Sequence, residues 1–192
     1  MKQNDLVGNK KESLNEGKGS SSEEKNIGPH LKPNRIETLP SFTLAGISAV
    51  TSNEAELRND GKIGQLFEKF FIENIAGELG ADIKESGHYS CYFDYEEMDL
   101  GSYEVMVGVK VQDEVQVPDL DSITTFTVPA AKYAVFVTER GPIIEVVQRA
   151  WANIWQWSRQ KGVERAFTGD FEYYPNGIDP NDGQAEIYIA IK

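Results

Sequence analysis

"YAVFVTERGPIIEVVQRAWANIWQW", residues 133–157, changes its hydrophobic period half-way along, and that change decides the fold. Tyr133, Val135 and Val137 alternate with Ala134 and Phe136, which is the two-residue period of a strand. After Gly141-Pro142, the residues Ile143, Val146, Val147, Ala150, Ile154 and Trp157 recur at three- and four-residue steps, the mark of an amphipathic helix. Proline suits a first helical turn, and Gly162 is a candidate stop. Two strand patterns follow, "DFEYY" (170–174) and "AEIYIAIK" (185–192), separated by the turn-rich "PNGIDPNDGQ".

The same order stands upstream. "IETLPSFTLAGISAVT" (36–51) reads as a strand around Pro40, with Phe42, Leu44 and Gly46 on one face. A polar loop, "SNEAELRNDGK", leads into Ile63, Leu66, Phe67, Phe70, Phe71 and Ile75, whose spacing predicts one helix from about 62 to 79. "HYSCYFDY" and "SYEVMVGVKV" are two strands joined through "EEMDLG". The chain thus reads strand–helix–strand–strand twice. Neither half covers its own sheet, so the expected fold is α+β: one joined antiparallel sheet with both helices on one face. The opposite face is expected to be partly open, with a ligand groove at the seam between the halves.

Composition bounds the function. A chain of 192 residues with 40% hydrophobic content suits one domain. Residues 1–33 are dominated by Lys, Glu, Ser, Asn and Gly and read as a disordered tail, leaving 34–192 to fold. A net charge of −12 argues against a nucleic-acid surface, which needs clustered Lys and Arg. One cysteine, Cys91, and two histidines, His30 and His88, supply neither a disulfide nor a metal cluster, and no cofactor is expected. With no apolar run of membrane length and no signal-peptide pattern at the start, a cytoplasmic protein without membrane contact is expected.

Glu172 is the unusual residue, a carboxylate among the aromatics of "DFEYY". Alternation puts it on one face with Tyr174, and Phe171 and Tyr173 on the other. Ile187, Ile189 and Ile191 form an apolar face expected beneath the helices, against Ile154. Glu186 and Tyr188 then point the other way, and pairing of the two strands is expected to gather Glu172, Tyr174, Tyr188 and Glu186 on the open face. Tyr92 and Phe93 are both candidate contacts, although they face opposite ways. Of the tryptophans, Trp151 and Trp157 read as core, while Trp155 lies off the apolar stripe and is a candidate contact. Aromatics around an acid attract a cation through both ring quadrupole and charge. The competing reading of Glu172 is a solvated outer-face carboxylate. His88, beside a turn, reads as exposed, and Cys91 as a small buried hydrophobe.

The run 133–157 with "DFEYY" and "EIYIAIK", preceded by "IETLPSFTLAGISAVTS" and "YSCYFDYEEMDLGSYEVMVGVKV", resembles the gyrase-inhibitor-like (GyrI-like) small-molecule-binding domain over residues 35–192. That module also serves as the effector-binding domain of some MerR- and AraC-type regulators, and the chain resembles in particular the free-standing members, including those carried as integron cassettes. The resemblance implies a duplicated fold whose cleft takes bulky, apolar, often cationic compounds, with a pocket acid that falls on Glu172. It departs from the family in two places: no helix-turn-helix precedes the domain, and Trp157 is followed by "SRQKG" where Leu-Pro is common. A small-molecule sensor or sequestering protein is the leading expectation, with no direct nucleic-acid partner. Two others stand beside it. One is a hydrolase of strained electrophiles using Glu172 with Tyr188 or Tyr174. The other is a protein-interaction inhibitor of the gyrase-inhibitor type, with a protein partner.

Overall fold

The computed structural model describes residues 32–58, 60–80, 83–112 and 122–192; the expected tail lies outside these, apart from Lys32 and Pro33. Among the described residues there are eight strands in one antiparallel sheet and four helices. In chain order these are β1 (Arg35–Leu39), β2 (Phe42–Ser52), α1 (Asn53–Leu57), α2 (Ile63–Ile72), α3 (Ile75–Leu79), β3 (His88–Phe93), β4 (Ser102–Val111), β5 (Thr124–Val128), β6 (Ala131–Val137), α4 (Ile143–Ser158), β7 (Asp170–Tyr174) and β8 (Glu186–Ile191). Across the sheet they run β1-β6-β8-β7-β3-β4-β2-β5. The expected α+β duplication is present, each half giving a long strand, a helical segment and a hairpin-like strand pair. No helix among the described residues is long and apolar enough to cross a membrane.

Three local features depart from the sequence reading. The strand read around Pro40 is split at Pro40–Ser41, and in the second half a strand, β5, precedes β6 across Pro129–Ala130, because proline removes a ladder donor. The loop after β2 holds a turn of helix, α1, which Ser52 caps by accepting from the Ala55 N–H at 3.2 Å. The predicted helix over 62–79 breaks into α2 and α3 at Asn74, whose left-handed φ of 49° ends one helix and redirects the next.

The helices lie on one face. Leu66, Phe70, Ile75 and Leu79 of α2 and α3 pack with Ala45, Ile47, Tyr92, Val105 and Val107. In the second half, Ile154 and Trp157 of α4 pack with Ala134, Phe136, Ile187 and Ile189, as the isoleucine alternation predicts. α4 starts where Gly141 and Gly183 exchange two backbone hydrogen bonds, which ties the helix to the β7–β8 loop.

The face opposite the helices is not the open groove that the sequence suggests. Phe93 of β3 stacks on Phe126 of β5 at 3.8 Å, and Phe42 of β2 meets Phe171 of β7 edge-on at 5.4 Å. Each pair is three strand spacings apart, roughly 14 Å in a flat sheet. The sheet therefore curls over its helix-free face. Its end strands reflect the same curl: β1 pairs with β6 and β2 with β5 in one register, Arg35 opposite Val135 and Gly46 opposite Thr124. The enclosed side is a second packed core containing Leu44, Tyr89, Cys91, Met106, Tyr133, Phe171 and Tyr188.

Candidate functional site at the seam of the two halves

Strand β3 of the first half pairs with β7 of the second, and Glu172 sits directly across from Ser90 at that seam. The register of β7 with β8 decides its face. Glu172 is opposite Ile187, and Phe171 opposite Tyr188. Directly opposed residues share a face, so Glu172 joins the isoleucines under the helices, and Tyr188 with Glu186 goes to the curled side. This corrects the expected grouping, which assumed that Glu172 lined up with Glu186. A one-residue difference in register flips the whole set.

Glu172 is 2% exposed. Its Oε1 accepts from the Tyr92 hydroxyl at 2.9 Å and from the Trp151 indole N–H at 2.5 Å, and its Oε2 accepts from the Tyr174 hydroxyl at 2.6 Å. Ser90 donates to the Tyr92 oxygen at 3.3 Å, so the donor nearest the seam is itself oriented. The Tyr174 ring lies flat on His88, centroids 4.8 Å apart and planes 3° from parallel, with Phe67 edge-on to both. Tyr103 and Trp151 meet the Tyr92 ring edge-on. His88 is thus half-buried in an aromatic box, not the exposed turn residue expected from sequence.

Charge sets this acid apart. Asp170, two residues earlier on the same strand and fully buried, has a counter-charge: Arg165 Nη2 reaches it at 2.5 Å, with the Tyr95 hydroxyl at 2.9 Å and the Ala190 N–H at 2.7 Å. Glu172 has three neutral donors and takes part in none of the ion pairs among the described residues. Burial pushes its pKa above the usual carboxylate value; the hydrogen bonds from Tyr174, Trp151 and Tyr92 offset this only in part. Beside it, burial lowers His88 to about 4, so the imidazole is a neutral ring near pH 7. The Tyr92 and Tyr174 hydroxyls are driven well above their ordinary value, first by burial and then by the Glu172 charge, and stay protonated as donors.

Of the candidate contacts, Glu172, Tyr174 and Tyr92 come together. Phe93 and Tyr188 do not: Phe93 stacks on Phe126, and Tyr188 stacks on Phe171 at 4.5 Å while donating to Glu186 and accepting from Arg35. Trp155 is half-buried with its ring 6.3 Å from that of Trp151 and makes no hydrogen bond to Glu172. Trp151 is the residue that the sequence reading missed. One signal was available: it lies one turn before Trp155 on the same helix face, and an indole donates but cannot accept. A cavity of about 210 Å³ lies elsewhere, between β6 and α4, lined by Lys32, Asn34, Phe136, Thr138 and Arg149 among others. It has no part of the Glu172 cluster, and the convergence of donors on one buried acid outweighs it as a site.

A family model described as "Integron-associated effector binding protein", Cass2, matches residues 35–191. The chain belongs to this family. The Cass2 domain therefore spans both halves of the duplicated fold, with Glu172 at the seam of one continuous domain. Among its relatives is YobU of Bacillus subtilis, which carries the provisional name of transcriptional regulator; it is 34% identical over 150 residues, 77% of this chain and 91% of its own. Among solved structures, the integron cassette protein VCH_CASS2 of Vibrio cholerae has a TM-score of 0.65 and 27% identity, covering 82% of this chain and 95% of its own. SAV2435, solved with tetraphenylphosphonium bound, has a TM-score of 0.68 and 20% identity, covering 82% and 93%. The Cass2 match bears out the resemblance to effector-binding domains of the gyrase-inhibitor-like type.

Proposed function

We propose that this effector-binding domain takes bulky, aryl-rich cations at Glu172, as a sensor or a sequestering protein. One observation carries the reading: a buried carboxylate at the seam, ringed by aromatic side chains, is served by neutral donors alone, whereas its neighbour Asp170 has its own guanidinium. A buried charge without a partner costs several kcal/mol, a cost that an incoming cation relieves. The rings of Tyr92 and Tyr174 add cation–π attraction of about 0.5–2 kcal/mol per contact. The tetraphenylphosphonium in SAV2435 suits such a place, being a permanent cation wrapped in aryl groups with no hydrogen to donate. Binding is favoured over hydrolysis because both Glu172 oxygens already accept from protein donors, Tyr174 gives its hydroxyl to Glu172, and Tyr188 stands on the other face of the sheet with its hydroxyl on Glu186.

Calorimetric titration tests this with tetraphenylphosphonium and the neutral triphenylphosphine oxide. Glu172→Gln keeps the shape and removes the charge. The cation is expected to lose at least tenfold in affinity, about 1.4 kcal/mol, while the neutral compound changes less than twofold. Equal losses for both ligands, or none for either, would contradict a charge-reading site.

A further inference from the structure

The cation site just proposed is closed in this structure, and Glu172, Tyr92 and Tyr174 are all buried. Something must move before a bulky ligand reaches the carboxylate. Tyr92 lies on β3, which is paired on both sides, by β4 and β7, and its hydroxyl is held by Ser90 and Glu172. Tyr174 lies on β7 with its ring stacked on His88 and flanked by Phe67. Moving either disturbs the sheet or the aromatic box. Trp151 differs. It is half-buried, sits on α4 outside every strand ladder, and packs against the apolar clusters of both halves without belonging to the buried part of either.

Resting on that reading of the site, we propose that Trp151 is its gate: the indole N–H holds the position on Glu172 that the cation takes, and the ring turns out toward solvent to admit the ligand. Rotating this side chain breaks no backbone hydrogen bond, since Trp151 lies on α4 outside the strand ladders. The exchange is matched in kind. A neutral N–H donor at 2.5 Å leaves Oε1, a full positive charge arrives, and the ring edge that covered Tyr92 is withdrawn. Affinity in the intact protein is then the ligand's attraction to Glu172 less the cost of displacing the indole. Trp151 also becomes a selectivity element, since a ligand lacking positive charge displaces the indole with no charge pairing in return and binds more weakly than its cationic counterpart.

The test is titration of the full chain with tetraphenylphosphonium, comparing wild type, Trp151→Phe and Glu172→Gln, with thermal unfolding confirming that each is folded. Trp151→Phe keeps an aromatic ring and deletes the donor. It is expected to bind about three- to tenfold more tightly, the size of one net hydrogen bond. Unchanged or weaker binding in Trp151→Phe, while Glu172→Gln still loses affinity, would make Trp151 a fixed wall and overturn the gate alone. Unchanged cation binding in Glu172→Gln would overturn the site itself. A second readout needs no variant: the indole N–H signal of Trp151 in the proton–nitrogen spectrum, assigned through its contact with Tyr92. Saturation with tetraphenylphosphonium should move it from a carboxylate-bonded to a water-exposed position. A signal that stays in place under saturation contradicts the gate.

Discussion

At the scale of single residues, two neighbouring groups, Glu172 and His88, have opposite pKa shifts. Glu172 titrates above the usual carboxylate range because burial disfavours its charge. Its folded state holds the proton more tightly than the unfolded chain. Glu172 therefore contributes stability below its unfolded value near 4.5, and that contribution is lost as pH rises through the folded value. The ligand wants the opposite state. Affinity for tetraphenylphosphonium, whose charge does not titrate, is expected to fall up to tenfold per pH unit once pH drops below the Glu172 value, and Glu172→Gln should flatten the profile. A wild-type affinity constant from pH 8 down to 4.5 would show that no carboxyl raised above 4.5 reads the cation. His88 shifts the other way, from 6.5 to about 4, so its contribution is present above 6.5 and lost as pH falls toward 4. His88→Phe keeps a ring against Tyr174 and cannot charge. Urea unfolding should show the wild type losing on the order of 2 kcal/mol more than His88→Phe between pH 7 and pH 4, the half-buried ring being partly screened. Parallel stability profiles would mean that His88 is solvated when protonated.

At the scale of elements, periodicity carried most of the reading. α4 was legible because Pro142 opens it and Ile154 and Trp157 mark its buried stripe, which meets Ile187 and Ile189 as expected. Ile154→Ala should cost about 2–5 kcal/mol in chemical denaturation, the range for a fully buried aliphatic side chain; a loss below ~1 kcal/mol would contradict the packing. The break at Asn74 was illegible because the apolar steps run straight across it, and only backbone conformation distinguishes α2 from α3. The face of Glu172 was illegible for a related reason. Alternation says which residues of one strand share a face, but only the register of β7 on β8 says which face of the next strand they join. The buried Arg165–Asp170 pair anchors the start of β7, two residues before Glu172. Arg165→Met leaves Asp170 buried without its cation and should destabilise by about 3–5 kcal/mol in thermal or urea unfolding; a neutral effect would show the strand anchored elsewhere.

At the scale of the whole molecule, the duplication and the one-sided helix layer could be read from the repeated order of patterns, but the curl of the sheet could not. It depends on contacts three strands apart, such as Phe93 on Phe126, and on close backbone approach where Gly46 faces Gly108. A Cβ on Gly46 would stand 2.1 Å from the Val107 carbonyl oxygen, so Gly46→Ala must push two paired strands apart. It should unfold the chain or lower its stability by roughly 3 kcal/mol or more, whereas a cost of a few tenths would mean the strands open freely. The curl fills the helix-free face with a second core and leaves the seam under α2 and α4 as the place where an acid stands without a counter-charge. The most direct test of that claim is to follow the Glu172 side-chain carboxyl carbon by NMR through a pH titration, first free and then saturated with tetraphenylphosphonium. The expected midpoint lies above the ordinary glutamate range in the free protein and falls by at least one pH unit on binding, with a proton released. An ordinary midpoint that the ligand leaves unmoved would contradict it.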